Sequence, residues 1–167
     1  MERLSEHLTS SSMAALGHSN ELDGSRLTPH FSLAEMTKTS VKAENVPNEA
    51  QVKNLKRVCG WLEELRREWN KTYGEGDDPI IINSAFRSPA VNRAVGGVAT
   101  SNHLTGCAAD IRVAGMEQAL RYAVILLDIA DRQGEDFDEI IFERAKNVIW
   151  LHFAVRPENN RRHIMVI

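Results

Sequence analysis

From Val52 to Trp69, the residues Val52, Leu55, Val58, Leu62, Leu65 and Trp69 recur at intervals of three and four. That spacing lines one stripe of an α-helix, and it constrains the fold more than any other stretch of the chain. Lys53, Lys56, Arg57, Glu63, Arg66 and Arg67 take the opposite side. A stripe of this kind is buried against another layer, so the helix is read as core-packing rather than as a membrane or partner helix. Asn45-Val46-Pro47-Asn48-Glu49 reads as its start, with the proline tolerated in the first turn. The run from Gly74 to Pro79 closes the unit as a loop.

The flanking segments supply the other layer. Ser32-Leu33-Ala34-Glu35 fits a capping box, so order is expected from Phe31 with one short helical turn. Ile80 to Phe86 is short and β-branched at its start, which predicts a strand. Arg87-Ser88-Pro89 breaks it, Ala90 to Ala94 makes one helical turn, and Gly96-Gly97 opens a loop. Cys107 to Val113 reads as the next strand. Met116 to Arg132 is a second amphipathic helix, with Ala119, Leu120, Ala123, Leu126, Leu127 and Ala130 as its apolar face and Gly134 at its end. Phe137 to Glu143 and Val148 to Val155 read as a hairpin. Pro157 to Asn160 turns the chain into a last strand, His163 to Ile167. This order predicts an α+β fold, a mainly antiparallel sheet with helices packed on one face.

With 167 residues, the chain suffices for one domain with a real core. Residues 1–28 are rich in Ser, Gly, Asn and charge, including the run Thr9-Ser10-Ser11-Ser12, and are expected to form a mobile arm. His7 and His18 in it are assigned to solvent. Residues 29–167 form the domain. The net charge of -3, with no basic stripe, gives no reason to expect a nucleic-acid partner, and none is expected; the short cluster Arg161-Arg162-His163 is read as a solvated turn. No apolar run approaches the ~20 residues that span a bilayer, so no stable membrane association is expected. Met1 to His7 is followed by no apolar signal region, and the expectation is synthesis in the cytoplasm. Cys59 and Cys107 lack a CxxC partner and read as small buried apolar residues. Strand parity points Cys107 away from Asp110, against a role as nucleophile.

The candidate chemistry lies in Ser101-Asn102-His103-Leu104-Thr105-Gly106-Cys107-Ala108-Ala109-Asp110 and in Trp150-Leu151-His152-Phe153. On a strand, Ala108 and Asp110 share one face while Cys107, Ala109, Ile111 and Val113 share the other. Gly106 lets the preceding loop fold back so that His103 and Asp110 converge, and Ala108 lacks the bulk to block them. In the hairpin, Trp150, His152 and Ala154 share a face, and Leu151, Phe153 and Val155 point to the core. Two imidazoles and one carboxylate suit zinc and leave a fourth position for water. The spacing His-x6-Asp is by itself a weak signal, and a satisfied core histidine is the alternative reading of His152.

The constellation is more specific than its parts. Ser101-x-His103-x-x-Gly106-x-Ala108-x-Asp110 is preceded by Ser84-Ala85-Phe86-Arg87-Ser88-Pro89 with Asn92. Phe137-Asp138-Glu139-Ile140-Ile141-Phe142-Glu143 and Trp150-Leu151-His152 follow it. Together they resemble the peptidase M15 family of zinc D-Ala-D-Ala carboxypeptidases and phage murein endopeptidases, whose zinc site the hedgehog signalling domain shares. The resemblance covers roughly residues 31–167.

It implies one zinc ion held by His103, Asp110 and His152, on the sheet face away from the helices. It implies that Arg87 binds a substrate carboxylate or polarises its carbonyl; the alternative for Arg87 is a salt bridge that pins the loop. Ser101 orders its loop by hydrogen bonding to the backbone, and Arg87, Ser101 and Trp150 are the candidate substrate-binding residues. Many family members carry the general base in Glu-x-x-His, but Ile149 stands at that position here. Trp150 stands where some relatives have a second histidine. Other members place a glutamate at the end of the preceding strand, which makes Glu143 the candidate base. Glu139 shares its parity, is expected to face solvent, and is the fallback.

The implied reaction is hydrolysis of D,D- or L,D-amide bonds in peptidoglycan stem peptides by zinc-activated water. The protein would be a monomer that reaches the cell wall after export or lysis. The alternative is a non-catalytic, hedgehog-like zinc-binding interaction module. His30 and His163 have no matching partners and are read as structural.

Overall fold

A computed structural model describes residues 26–167. Most of the expected arm, with His7 and His18, lies outside the described residues. Its last positions belong to the fold: Leu27 is buried, and Arg26 bridges to Ser32.

The chain runs α1 (Leu33–Met36), α2 (Glu49–Thr72), β1 (Ile82–Ser84), α3 (Pro89–Ala94), a 3-10 turn (Asn102–Thr105), β2 (Ala108–Arg112), α4 (Met116–Gln133), β3 (Glu139–Ala145), β4 (Val148–Ala154) and β5 (His163–Val166). The fold is α+β, as its order of elements predicts.

Local chemistry explains the boundaries. Asn48 caps α2, accepting from Gln51 N at 2.9 Å, and Gln51 Oε1 accepts from Asn48 N at 2.7 Å. This reciprocal pair satisfies two amides that would otherwise lack partners, so the helix begins at Glu49 and Pro47 precedes the cap instead of lying in the first turn. Ser32 caps α1 and Ser88 caps α3. Gly134 ends α4 in the left-handed conformation, at φ 65.

Helices α2 and α4 cover one face of the sheet. Leu55, Val58, Leu62, Leu65 and Trp69 are buried on α2, each leucine contributing roughly 1.5–3 kcal/mol by leaving water. Trp61 stacks at a tilt on Phe153 at 5.5 Å, and Trp69 meets the edge of Tyr122 at 4.9 Å. On α4 the buried set is Ala119, Tyr122, Ala123, Ile125, Leu126, Ile129 and Ala130. The apolar face is thus rotated from the expected one. Leu120 is exposed and Leu127 only partly buried, because Tyr122 and Ile129 share the stripe of Ala119 and Leu126 at intervals of three and four. Among the described residues, no helix is long and apolar enough to cross a membrane.

The five strands are ordered β1-β2-β4-β3-β5. All pairs are antiparallel except β3 with β5. The stretch 155–162 carries the chain back to start β5 beside the start of β3, which makes that pair parallel. Lys146 takes φ 56 in the tight turn between β3 and β4. The strands alternate as expected. Ala109, Ile111, Leu151, Phe153, Ile140 and Phe142 join the core under the helices. Asp110, His152 and Ile141 therefore stand on the opposite face.

Candidate metal centre

Register builds the centre. Ser84 pairs with Asp110, Asp110 with His152, and His152 with Ile141, so four strands set these residues in one row across the sheet. One step along, Ala108 faces Ala154. Both side chains are small, and the 3-10 turn bearing His103 has room to fold over that end of the face.

That turn is fixed from three sides. The Ser101 hydroxyl accepts from His103 N at 3.3 Å. Gln51 Nε2 and Asn54 Nδ2, at the start of α2, donate to Leu104 O and Thr105 O, both at 2.9 Å. Gly106 ends the turn at φ 73, with a position for Cβ only 2.6 Å from Gln51 O. A side chain there would be strained and would push the turn off the helix.

His103 Nδ1 lies 2.5 Å from Ala85 O. Since a carbonyl only accepts, Nδ1 carries a proton, and Nε2 is the nitrogen that faces Asp110 Oδ1 at 3.2 Å. His152 Nδ1 approaches the same oxygen at 3.0 Å. Its far nitrogen, Nε2, is 3.6 Å from Glu139 Oε2. The two rings meet nearly edge-on, 5.0 Å apart. One donor atom from each of His103, Asp110 and His152 lies within 4.8 Å of the others, and all three residues are buried.

The second Asp110 oxygen is paired with Arg87 NH2. Arg87 Nε donates to Ser84 Oγ at 2.9 Å, and its backbone N–H donates to His103 O at 3.1 Å. Asn45 holds the same segment, donating to Phe86 O at 3.0 Å and accepting from Ser88 N at 2.6 Å. Burial would raise the Asp110 carboxyl, but the charges and hydrogen bonds of His103 and His152 outweigh it and hold the group well below the usual carboxylate range. Burial would likewise lower His152, but Asp110 and Glu139 overcome it and push the imidazole up to about 9. Two imidazole nitrogens and an ionised carboxylate oxygen converging in a buried site are a donor set that fits a divalent ion of the zinc type.

The three residues lie on the wall of a cavity of about 580 Å³. Glu139, Glu143, Trp150, Arg156 and Arg161 line the same space. Glu143 is half-buried, and burial together with the charge of Asp110 raises its carboxyl above the ordinary 4.5. Trp150 is half-buried and pairs across the sheet with Glu143. Glu139 does not face solvent as expected. It is tied to Asn102 at 2.9 Å and to Arg161 at 2.6 Å, and its carboxyl is lowered, chiefly by the contact with His152.

Sequence reasoning passed over Gln51, Asn54, Asn45 and Asn102. The first three bond to segments distant in the chain, and nothing local marks them. Asn102 adjoins His103 in the motif, and that adjacency was its only signal.

A family model described as Peptidase M15 matches residues 29–141. The match takes in Arg87, Ser101, His103, Asp110 and Glu139, and stops before Glu143, Trp150 and His152. Comparison with curated proteins gives no match.

Proposed function

The chain belongs to the peptidase M15 family, and on that premise we propose that it is a zinc-dependent peptidase acting on amide bonds of peptidoglycan stem peptides. One observation carries the reading. Three buried donors from His103, Asp110 and His152 converge at the wall of a cavity that also presents the glutamate Glu143.

In this reading His103 Nε2, Asp110 Oδ1 and His152 Nδ1 hold the ion. Zinc, when bound, supplies a Lewis acid that makes water nucleophilic near neutral pH. The residues of the chain do the rest. Glu143 takes the proton of the attacking water and returns it to the leaving amine, a role that suits a carboxylate whose proton affinity is raised by burial. Arg87 fixes Asp110 through one terminal nitrogen and Ser84 through Nε, and its second terminal nitrogen is assigned to the substrate carbonyl. Ser101 keeps the His103 turn in place, and Trp150 gives the substrate an apolar wall. Glu139, behind His152, orients that ring.

A second reading is a zinc-binding interaction module without catalysis. The ion pair between Arg87 and Asp110 favours it, since that pair spends part of the substrate-binding arginine on the centre itself.

The test measures hydrolysis of purified peptidoglycan and of a short D-Ala-D-Ala peptide by wild type and Glu143→Ala, with zinc content on the same samples. Zinc in both with cleavage lost only in the variant supports the peptidase. Zinc without cleavage of either substrate by wild type turns the assignment to the interaction module.

A further inference from the structure

The cavity beside the centre does not end at Arg156. A second cavity of about 420 Å³ begins there, lined by Asn54, Cys107 and Pro157 among others, and the two share Thr100, Ser101, Asn102 and Arg156 as a common wall. A peptide bound at the centre can therefore continue across this wall.

Arg156 is the charged residue at the junction. Its backbone is clamped by Asn160, which accepts from Arg156 N at 2.8 Å and donates to Arg156 O at 3.1 Å. Its side chain is held at one point. Nε donates to Asn102 Oδ1 at 3.0 Å and lies 3.0 Å from Asp138 Oδ2. Among the described residues, neither terminal nitrogen of Arg156 makes a hydrogen bond, and the closest approach of its ion pair with Asp138 is through Nε. Its neighbour Arg161 is spent differently: Nε and NH2 grip the fully buried Asp138, and NH2 also reaches Glu139. That grip offsets the Asp138 charge beneath Arg156. The result is a guanidinium fixed at its base, one-third exposed, with its terminal fork unused. A planar fork of this kind matches a carboxylate in a bidentate pair.

Resting on the peptidase reading above, we propose that Arg156 is a specificity-determining residue that binds a carboxylate of the substrate at the junction of the two cavities. The carboxylate comes from the free C-terminus of the peptide or from an acidic side chain. The role is separate from those of Arg87 and Glu143, because Arg156 reaches the centre only through Asn102 and Glu139.

The test compares four peptides of one backbone: the parent acid, its C-terminal amide, its side-chain amide and the double amide. Wild type, Arg156→Gln and Arg156→Lys are used as zinc-loaded full-length proteins, with zinc content and Tm measured on each. Cleavage gives KM and kcat, and calorimetric binding to an Glu143→Gln background gives affinity without turnover. Arg156→Gln is expected to raise KM and weaken binding of the parent about tenfold, the scale of one charge-assisted pair, with kcat little changed. The difference from wild type should vanish for whichever amide removes the recognised carboxylate, and that arm tells terminus from side chain. Arg156→Lys should restore part of the preference. Equal losses on acid and amide peptides, or no preference for the acid in wild type by either measure, overturn the proposal. Arg156-dependent binding without cleavage by wild type keeps the proposal and defeats the peptidase reading. Cleavage indifferent to Arg156 does the reverse.

Discussion

The carboxylate of Glu139 stands 3.6 Å from Nε2 of His152, behind the ring whose other nitrogen faces Asp110. The separation is longer than a hydrogen bond, so the contact is one of charge. Such a partner fixes ring orientation and raises the basicity of a ligand nitrogen. Glu139→Gln keeps the shape and removes the charge. It is expected to lower zinc affinity about tenfold, read by competition with a chromophoric chelator. Unchanged affinity would leave Glu139 as a strut for Asn102 and Arg161 alone.

Glu143 carries the proton-transfer assignment. Glu143→Gln is expected to retain zinc and reduce kcat by about a hundredfold or more. In wild type the acid limb of kcat/KM should lie above 4.5, the ordinary value from which burial and the Asp110 charge raise this carboxyl. A variant with near-normal kcat would remove Glu143 from the mechanism and direct attention to Glu139.

His152 makes the chelated protein sensitive to pH in a stated direction. Its pKa is raised from 6.5 to about 9 in the fold. A group raised in this way stabilises the fold fully below its unfolded value and stops doing so as pH climbs through its folded value. In chelator-treated protein, Tm should therefore decline between pH 6.5 and 9 more steeply in wild type than in His152→Asn. The same proton must leave before a metal is held, so apparent zinc affinity should rise with pH across that range. Parallel pH profiles for the two proteins would count against it.

Gly106→Ala tests how the His103 turn is seated. The φ of 73 and the 2.6 Å approach to Gln51 O leave no place for a methyl group. A loss of about 2 kcal/mol is expected by urea denaturation, with weaker zinc binding because the turn carries His103, a ligand in the proposed reading. A loss within error would show that α2 gives way at Gln51.

Much of this was legible in the chain. The α2 stripe, the parity of β2 and β4, and the small Ala108 opposite Ala154 are periodic features, and periodicity survives in a sequence. The shared face of Asp110 and His152 followed from them, while His103 was added by its motif and by what the resemblance implies. What stayed hidden depends on contacts that leave no period. Leu120 fits a helical stripe as well as Tyr122 does, and only the position of α2 decides between them. Glu139 looks solvent-facing until β5 and the 155–162 segment bring Arg161 over it. Arg161 itself reads as a surface charge, yet it closes on Asp138, which has no exposure at all. Arg87 kept two readings because its partner lies 23 positions away, across the β1–β2 pairing.

The direct opposition of Asp110 and His152 across β2 and β4 also sets a clock. His103 and Asp110 leave the ribosome close together, but they are only two donors. The third is 42 positions behind Asp110, on a strand that must thread between β2 and β3 before its imidazole arrives. A nascent chain halted anywhere short of β4 would carry two of the three donors. A metal that needs all three donors can therefore be captured only after β4 has been made.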